Sequence, residues 1–231
     1  MKFRSCFSVI PQKREPKEQS ELVNQLLFGE VFNVLEYSGN WVKIKTAQDK
    51  YTGYIDKLYM EHCTPDDGVL WNATQYESHE IQSHGCITCT EGAFHPNAKT
   101  PNAGVVVQQA KSWLGVPYLW GGKSRMGVDC SGFIQVLFRP FYRLYPRDAY
   151  QQMEVGTPIS FNEIRSGDIV FFQKEGKIHH VGLAINYGHE IIHASGYVKR
   201  NRLTEKGIIN DKNELTHHYA GARRLSFFLN E

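Results

Sequence analysis

The sequence predicts an α+β domain, from about residue 102 onward, preceded by a small β-barrel. Three observations point there. Between Phe7 and Met60, short alternating strands are separated by turns. From Asn102 to Phe138, apolar residues recur at helical spacing. After Gly167, β-branched and aromatic runs return, broken by Asn, Gly and charged residues.

Length and composition limit the possibilities. A chain of 231 residues holds one large domain or two small ones, and either can bury a core. Its 41% hydrophobic and 22% charged content is ordinary for a globular chain. A formal charge of +2 is too small for a surface that tracks phosphates, so nucleic acid is not the expected partner. No apolar run approaches the roughly 18 residues of a membrane span. Pro11-Gln-Lys-Arg-Glu15 interrupts the N-terminal apolar residues before a signal-peptide core can form, which predicts a cytoplasmic protein. The five cysteines, an odd number in a chain this long, do not suggest a disulfide framework.

In the barrel, Val31-Phe-Asn-Val-Leu35 is a strand, Ser38-Gly-Asn40 a turn, Trp41-Val-Lys-Ile-Lys45 a strand, Gln48-Asp-Lys50 a turn and Tyr51-Thr-Gly-Tyr-Ile55 a strand. Residues 63 to about 101 carry Cys86-Ile-Thr-Cys89 with His79, His84 and His95 nearby. That spacing could hold zinc, but a second tight ligand pair is missing, so further barrel strands with partly buried thiols are the favoured reading. Lys99-Thr-Pro-Asn102 marks the boundary, giving domains 1–101 and 102–231.

Asn102 can cap a helix whose core face is Val106, Ala110, Trp113 and Leu114, ended by Gly115 and Pro117. A glycine-rich turn, Tyr118-Leu-Trp-Gly-Gly122, then leads to Asp129-Cys-Ser-Gly-Phe133 and a second helix with Ile134, Leu137 and Phe138 on one face. Trp120 reads as core or pocket wall. Gly167-Asp-Ile-Val-Phe-Phe172 is a buried strand, and Ile178–Ile185 and Ile191–Ser195 form a hairpin around Asn186-Tyr-Gly-His189. Lys199-Arg-Asn-Arg202 reads as a solvated face, and Ala222 to Leu229 as the strand that closes the sheet.

The chemistry centres on Cys130. At a helix N-terminus, free amide N–H groups and the helix dipole favour thiolate and can also stabilise an oxyanion. In a hairpin with an even-numbered loop, His180 and His193 share a face, with His179 turned away; a register slip of one would make His179 the base instead. A thiol, a base and a second imidazole to orient the base make the pattern of a cysteine hydrolase, with no metal or cofactor required.

These residues carry a resemblance. Asp129-Cys-Ser-Gly-Phe133, His180-Val-Gly182 and His193-Ala-Ser195, after Tyr118-Leu-Trp-Gly-Gly122, resemble the NlpC family of bacterial cell-wall cysteine peptidases over roughly the last 130 residues. Gly29-Glu30, Gly39-Asn-Trp-Val-Lys-Ile44 and Gly53-Tyr-Ile55 resemble the bacterial SH3 domain that often precedes such catalytic domains. The resemblance implies a papain-like fold, a nucleophile at Cys130, a base at His180 and an orienting His193. Its implied substrate is a peptidoglycan peptide such as L-Ala-γ-D-Glu-diaminopimelate, cut between γ-D-glutamate and the diamino acid. Relatives with an SH3 domain in front and no export signal resemble recycling enzymes that need a free N-terminal L-alanine.

A free ammonium calls for carboxylates at the blind end of a cleft. Asp129 fits this need, with Glu30 and Tyr51 as candidates from the barrel. Ser131 is a candidate for the D-glutamyl carboxylate, and Tyr118 is either packing or an oxyanion donor. Arg147-Asp148 resembles a substrate-contacting segment, although Ala149 stands where a hydroxyl residue is expected. Rival readings are a murein hydrolase acting on intact wall, an amidase or acyltransferase on the same scaffold, and a binding module with relic catalytic residues.

Overall fold

The computed structural model describes residues 1–65, 102–138 and 145–226. They form two compact units: residues 1–65 with Trp120–Ser124 and Tyr145 in one, and residues 102–119, Arg125–Phe138 and 146–226 in the other. Cys86 and Cys89, with the zinc alternative, lie outside the described residues, as do His79, His84 and His95.

The first unit is built of β1 (Lys2–Arg4), β2 (Val9–Lys13), β3 (Leu22–Leu27), β4 (Val31–Ser38), β5 (Trp41–Thr46), β6 (Thr52–Asp56) and β7 (Thr64–Pro65). They lie in the order β3-β2-β6-β5-β4-β1-β7. The tight β4–β5 turn is made by Gly39, whose φ of 58° is cheap only without a Cβ. Period-two alternation drives Val42 and Ile44 of β5 inward, where they meet Ile10, Leu26, Phe32 and Ile55, all fully buried. Cys63 packs in the same cluster as a small apolar group.

The second unit opens with α1 (Ala103–Ser112), capped by Asn102, whose Oδ1 accepts from the Val105 N–H at 2.8 Å. Val106, Ala110 and Trp113 are buried, but Leu114 is 46% exposed. The helix has already ended at Ser112, so the face extrapolated to Leu114 no longer exists. After β8 (Lys123–Ser124), which belongs to the first unit, the chain continues in the second with β9 (Gly127–Val128), then α2 (Cys130–Phe138), every residue of which is buried, and α3 (Ala149–Gln152).

The sheet strands follow: β10 (Thr157–Ile159), β11 (Ile169–Lys174), β12 (Lys177–Ile185), β13 (Glu190–Ser195), β14 (Tyr197–Thr204), β15 (Gly207–Ile209) and β16 (Leu215–Arg224). Their order is β10-β16-β11-β12-β13-β14-β15, and β15 also pairs with β16, so the sheet closes on itself. The helix α2 packs on β12 and β13. The closing strand differs from the expected Ala222–Leu229: it begins at Leu215 and ends at Arg224, and residues 227–229 lie outside the described set. Its first half, Leu215-Thr-His-His-Tyr219, is too polar to register as a strand by apolar runs. No helix among the described residues is long and apolar enough to cross a membrane.

Candidate active site

Cys130 is the first residue of α2, with a free thiol and 7% of its surface exposed. The backbone N–H groups of Val181 and Ser131 are directed at its sulfur, which sets the thiol against the strand that carries His180. The expected preference for thiolate does not hold. Burial, reinforced by the neighbouring Asp129 carboxylate, pushes the thiol up to about 12. Asp129 Oδ1 accepts the Gly132 N–H at 2.6 Å, so the positive end of the helix is already occupied by an anion beside the sulfur. Helix position alone could not reveal that competition.

The β12–β13 register, with Leu183 opposite Ile192, brings His180 and His193 onto one face of the hairpin. Next to it, β11 pairs Phe172 with His180 and then Gln173 with Ile178, so His179 is a bulged extra residue; it is exposed while His180 is buried. Gly182 makes room for the pair, because a Cβ there would stand 2.9 Å from the His193 Cβ and 2.7 Å from Ile191 Cδ1.

A hydrogen-bonded chain runs back from His180. Its Nε2 lies 2.8 Å from His193 Nδ1; His193 Nε2 lies 3.0 Å from Asn201 Oδ1; and Asn201 Nδ2 donates to Asp211 Oδ1 at 3.4 Å. The carboxylate of Asp211 can only accept, which fixes the Asn201 amide with its oxygen toward His193. His193 therefore donates from Nε2 and accepts at Nδ1, so His180 must carry its proton on Nε2. The Nδ1 of His180 is left with a free lone pair, the state a general base requires.

Both imidazoles are held neutral. Burial, then the neighbouring His193 and His217, push His180 well below the ordinary imidazole value. Burial pushes His193 down to about 4, against the opposing pull of the Asn201 bond. His217 of β16 stacks on His180, with ring centroids 4.2 Å apart and planes at 30°, and Phe172 packs against His180 at 5.9 Å. These contacts restrain the His180 ring.

The other expected residues are placed as follows. Asp129 is bound by Arg147, Nη2 to Oδ2 at 2.5 Å and Nη1 to Oδ1 at 3.0 Å, and Arg147 Nη1 also reaches Ser131 Oγ at 2.9 Å. Ser131 Oγ donates to Asp129 Oδ1 at 3.2 Å, while Gln152 Nε2 ties the Ser131 carbonyl to that of Pro146. Asp148 is the N-cap residue of α3. The half-buried Tyr118 is anchored through its N–H to Gly196 O at 3.0 Å. Burial, Cys130 and Asp129 all raise its phenol, so the hydroxyl remains a donor.

Glu30 and Tyr51 belong to the first unit. The Glu30 carboxylate is buried against Lys123 Nζ at 3.2 Å and accepts the Leu27 N–H at 2.9 Å. Trp120 is not core: it is 58% exposed, with its indole N–H donating to Glu21 Oε1 at 2.6 Å.

Asn201, Asp211 and His217 are the members of the cluster that sequence reasoning missed. Asn201 belongs to Lys199-Arg-Asn-Arg202, which reads as a solvated face from its charges, yet β14 alternates and buries it between exposed Arg200 and Arg202. That alternation was the available signal. Among the described residues no group of His, Cys, Asp and Glu is placed to hold a metal.

Comparison with known proteins fits this geometry. The NlpC/P60 family model matches residues 115–217, and the chain is 38% identical over 121 residues to the Escherichia coli protein named probable endopeptidase NlpC, covering 49% of this chain and 73% of that one. The chain belongs to the NlpC/P60 family. Residues 14–57 match the bacterial dipeptidyl-peptidase SH3 domain. A Bacillus subtilis relative named gamma-D-glutamyl-L-lysine dipeptidyl-peptidase is 42% identical over 86 residues, 36% of this chain; the match spans only 29% of that relative's length. A solved NlpC/P60 family protein from Bacillus cereus shares the fold, with a TM-score of 0.73 at 21% identity over 97% of this chain and 99% of that one.

Proposed function

We propose that the chain is a cysteine peptidase that hydrolyses the bond between γ-D-glutamate and a diamino acid in peptidoglycan peptides. Residues 102–231 form its papain-like catalytic domain and residues 1–101 its SH3-like barrel domain. The observation that carries this reading is the chain His180–His193–Asn201, which leaves an unprotonated Nδ1 on an imidazole next to the residue whose amide faces the Cys130 sulfur.

Thiol and imidazole both begin neutral. As the sulfur attacks the carbonyl carbon, the thiol proton passes to His180 Nδ1, and the imidazolium formed is held through Nε2–H by His193. The Cys130 N–H and the Tyr118 hydroxyl are the donors for the oxyanion. The imidazolium then protonates the leaving amine as the C–N bond breaks, giving a thioester. Water, deprotonated by His180, attacks that thioester and regenerates the thiol. Ser131 and Asp148 are the remaining candidates for substrate contact.

The SH3-domain match and the name of the Bacillus subtilis relative favour short peptides with a free N-terminal L-alanine, a recycling role that carries a cytoplasmic location with it. A second reading, a murein hydrolase acting on intact wall, is favoured by a different observation. Asp129 and Glu30, the carboxylates expected to meet a free ammonium, are paired with Arg147 and Lys123.

The test is incubation of L-Ala-γ-D-Glu-diaminopimelate, and of its N-acetylated form, with wild type and Cys130→Ala. Release of diaminopimelate by wild type alone is the expected result. Loss of activity on the acetylated peptide selects recycling, and equal cleavage of both selects the wall hydrolase. No release of diaminopimelate from either peptide refutes the reading.

A further inference from the structure

One cation beside the histidines is not used by the chemistry above. Lys199 on β14 stands directly opposite His193 in the β13–β14 register, on the same face of the sheet. It is half-buried, and among the described residues it has no carboxylate partner, whereas its neighbour Arg200 pairs with Glu190 at 3.3 Å. Its ammonium lies 5.3 Å from the centre of the Tyr197 ring. Tyr197 borders the site in turn, since it bridges to Pro117 while the adjacent Gly196 carbonyl holds the Tyr118 N–H. The cation is therefore placed between the imidazole pair and the segment carrying Tyr118.

An uncompensated positive charge here works against the base, because it disfavours imidazolium on His180, His193 and His217 alike. An anionic substrate group would remove that disadvantage by neutralising the charge at the moment of binding. Direction follows from the chemistry. The imidazole must protonate the leaving nitrogen, so the leaving group lies on the histidine side of the thiol, and its α-carboxylate is a few bonds from that nitrogen. We propose that Lys199 binds the α-carboxylate of the leaving amino acid, so that the site selects a free carboxylate over an amide on that side of the scissile bond. This specificity role rests on the peptidase reading.

The experiment separates the two claims. Binding of L-Ala-γ-D-Glu-L-Lys and of its C-terminal lysinamide is measured by calorimetry in Cys130→Ala, in Cys130→Ala/Lys199→Gln and in Cys130→Ala/Lys199→Arg. The free carboxylate is expected to bind about tenfold more tightly than the amide, as for one charge-assisted hydrogen bond. Lys199→Gln should abolish that preference and Lys199→Arg should retain most of it. No preference in Cys130→Ala, or a preference that survives Lys199→Gln, overturns the assignment. Hydrolysis of the same peptide by wild type reports separately on the peptidase reading, because the binding measurement needs no turnover.

Discussion

Replacing Asn201 tests whether the tautomer chain governs the base. In Asn201→Leu the His193 Nε2–H loses its acceptor at 3.0 Å and is left buried without a partner, a loss of about 1 to 3 kcal/mol. His193 can recover part of that by moving its proton to Nδ1, but Nδ1 then meets the Nε2–H of His180 across 2.8 Å, donor against donor. His180 must either turn, which swings its Nδ1 lone pair out of place, or shift its own proton onto Nδ1, which removes that lone pair. A barrier raised by about 1.4 to 2.7 kcal/mol corresponds to a 10- to 100-fold fall in kcat/KM, with the fall in kcat rather than a rise in KM.

Asn201→Asp acts in the opposite sense on protonation. A carboxylate at that position favours the imidazolium of His193, so the acid limb of the kcat/KM profile should move up by about one unit. The assay is a pH-rate profile from pH 4 to 9 on the tripeptide for wild type and both variants. A profile in Asn201→Asp that keeps the wild-type acid limb, together with unchanged kcat in Asn201→Leu, would refute the reasoning.

Three further outcomes are expected. Gly182→Ala places a methyl 2.9 Å from the His193 Cβ, so it should cost about 1 to 3 kcal/mol in urea unfolding and reduce kcat; a variant with wild-type stability and kcat would show that the hairpin relaxes freely. Arg147→Met leaves the Asp129 carboxylate buried without its cation and should destabilise by about 3 to 5 kcal/mol, partly restored in Asp129→Asn/Arg147→Met; a double variant no more stable than Arg147→Met would count against the pair. His193, held at about 4 when folded against an ordinary 6.5, takes up its proton earlier in the unfolded chain. Its contribution is complete above pH 6.5 and is lost as pH falls toward 4, about 3 kcal/mol in all, with His180 acting in the same direction; urea midpoints that stay constant from pH 7 to 4.5 would contradict this.

Local features made much of this protein legible from its residues. Barrel strands β4 to β6 follow from alternation and turn residues, and the Asn102 cap from a polar side chain placed before an apolar period. The β12–β13 hairpin follows from two β-branched runs flanking a turn. The likeness to the NlpC family was carried by short motifs whose order survives in the chain itself.

The state of the thiol was decided by folding. Whether a helix N-terminus lowers or raises a cysteine depends on what else occupies it, and here burial and the Asp129 carboxylate outweigh the Val181 and Ser131 amides and the Arg147 charge. The partners of Asp129 and Glu30, namely Arg147 and Lys123, lie 18 and 93 residues away in the chain, so neither ion pair could be read from spacing. Asn201 reaches the imidazoles from β14, which pairs with the His193 strand β13, and His217 from β16, which pairs with β11 beside the His180 strand β12. Sequence fixes which groups a short segment can present; which of them share a low-dielectric pocket, and hence their protonation, is a property of the strand pairing and helix packing of the folded domain.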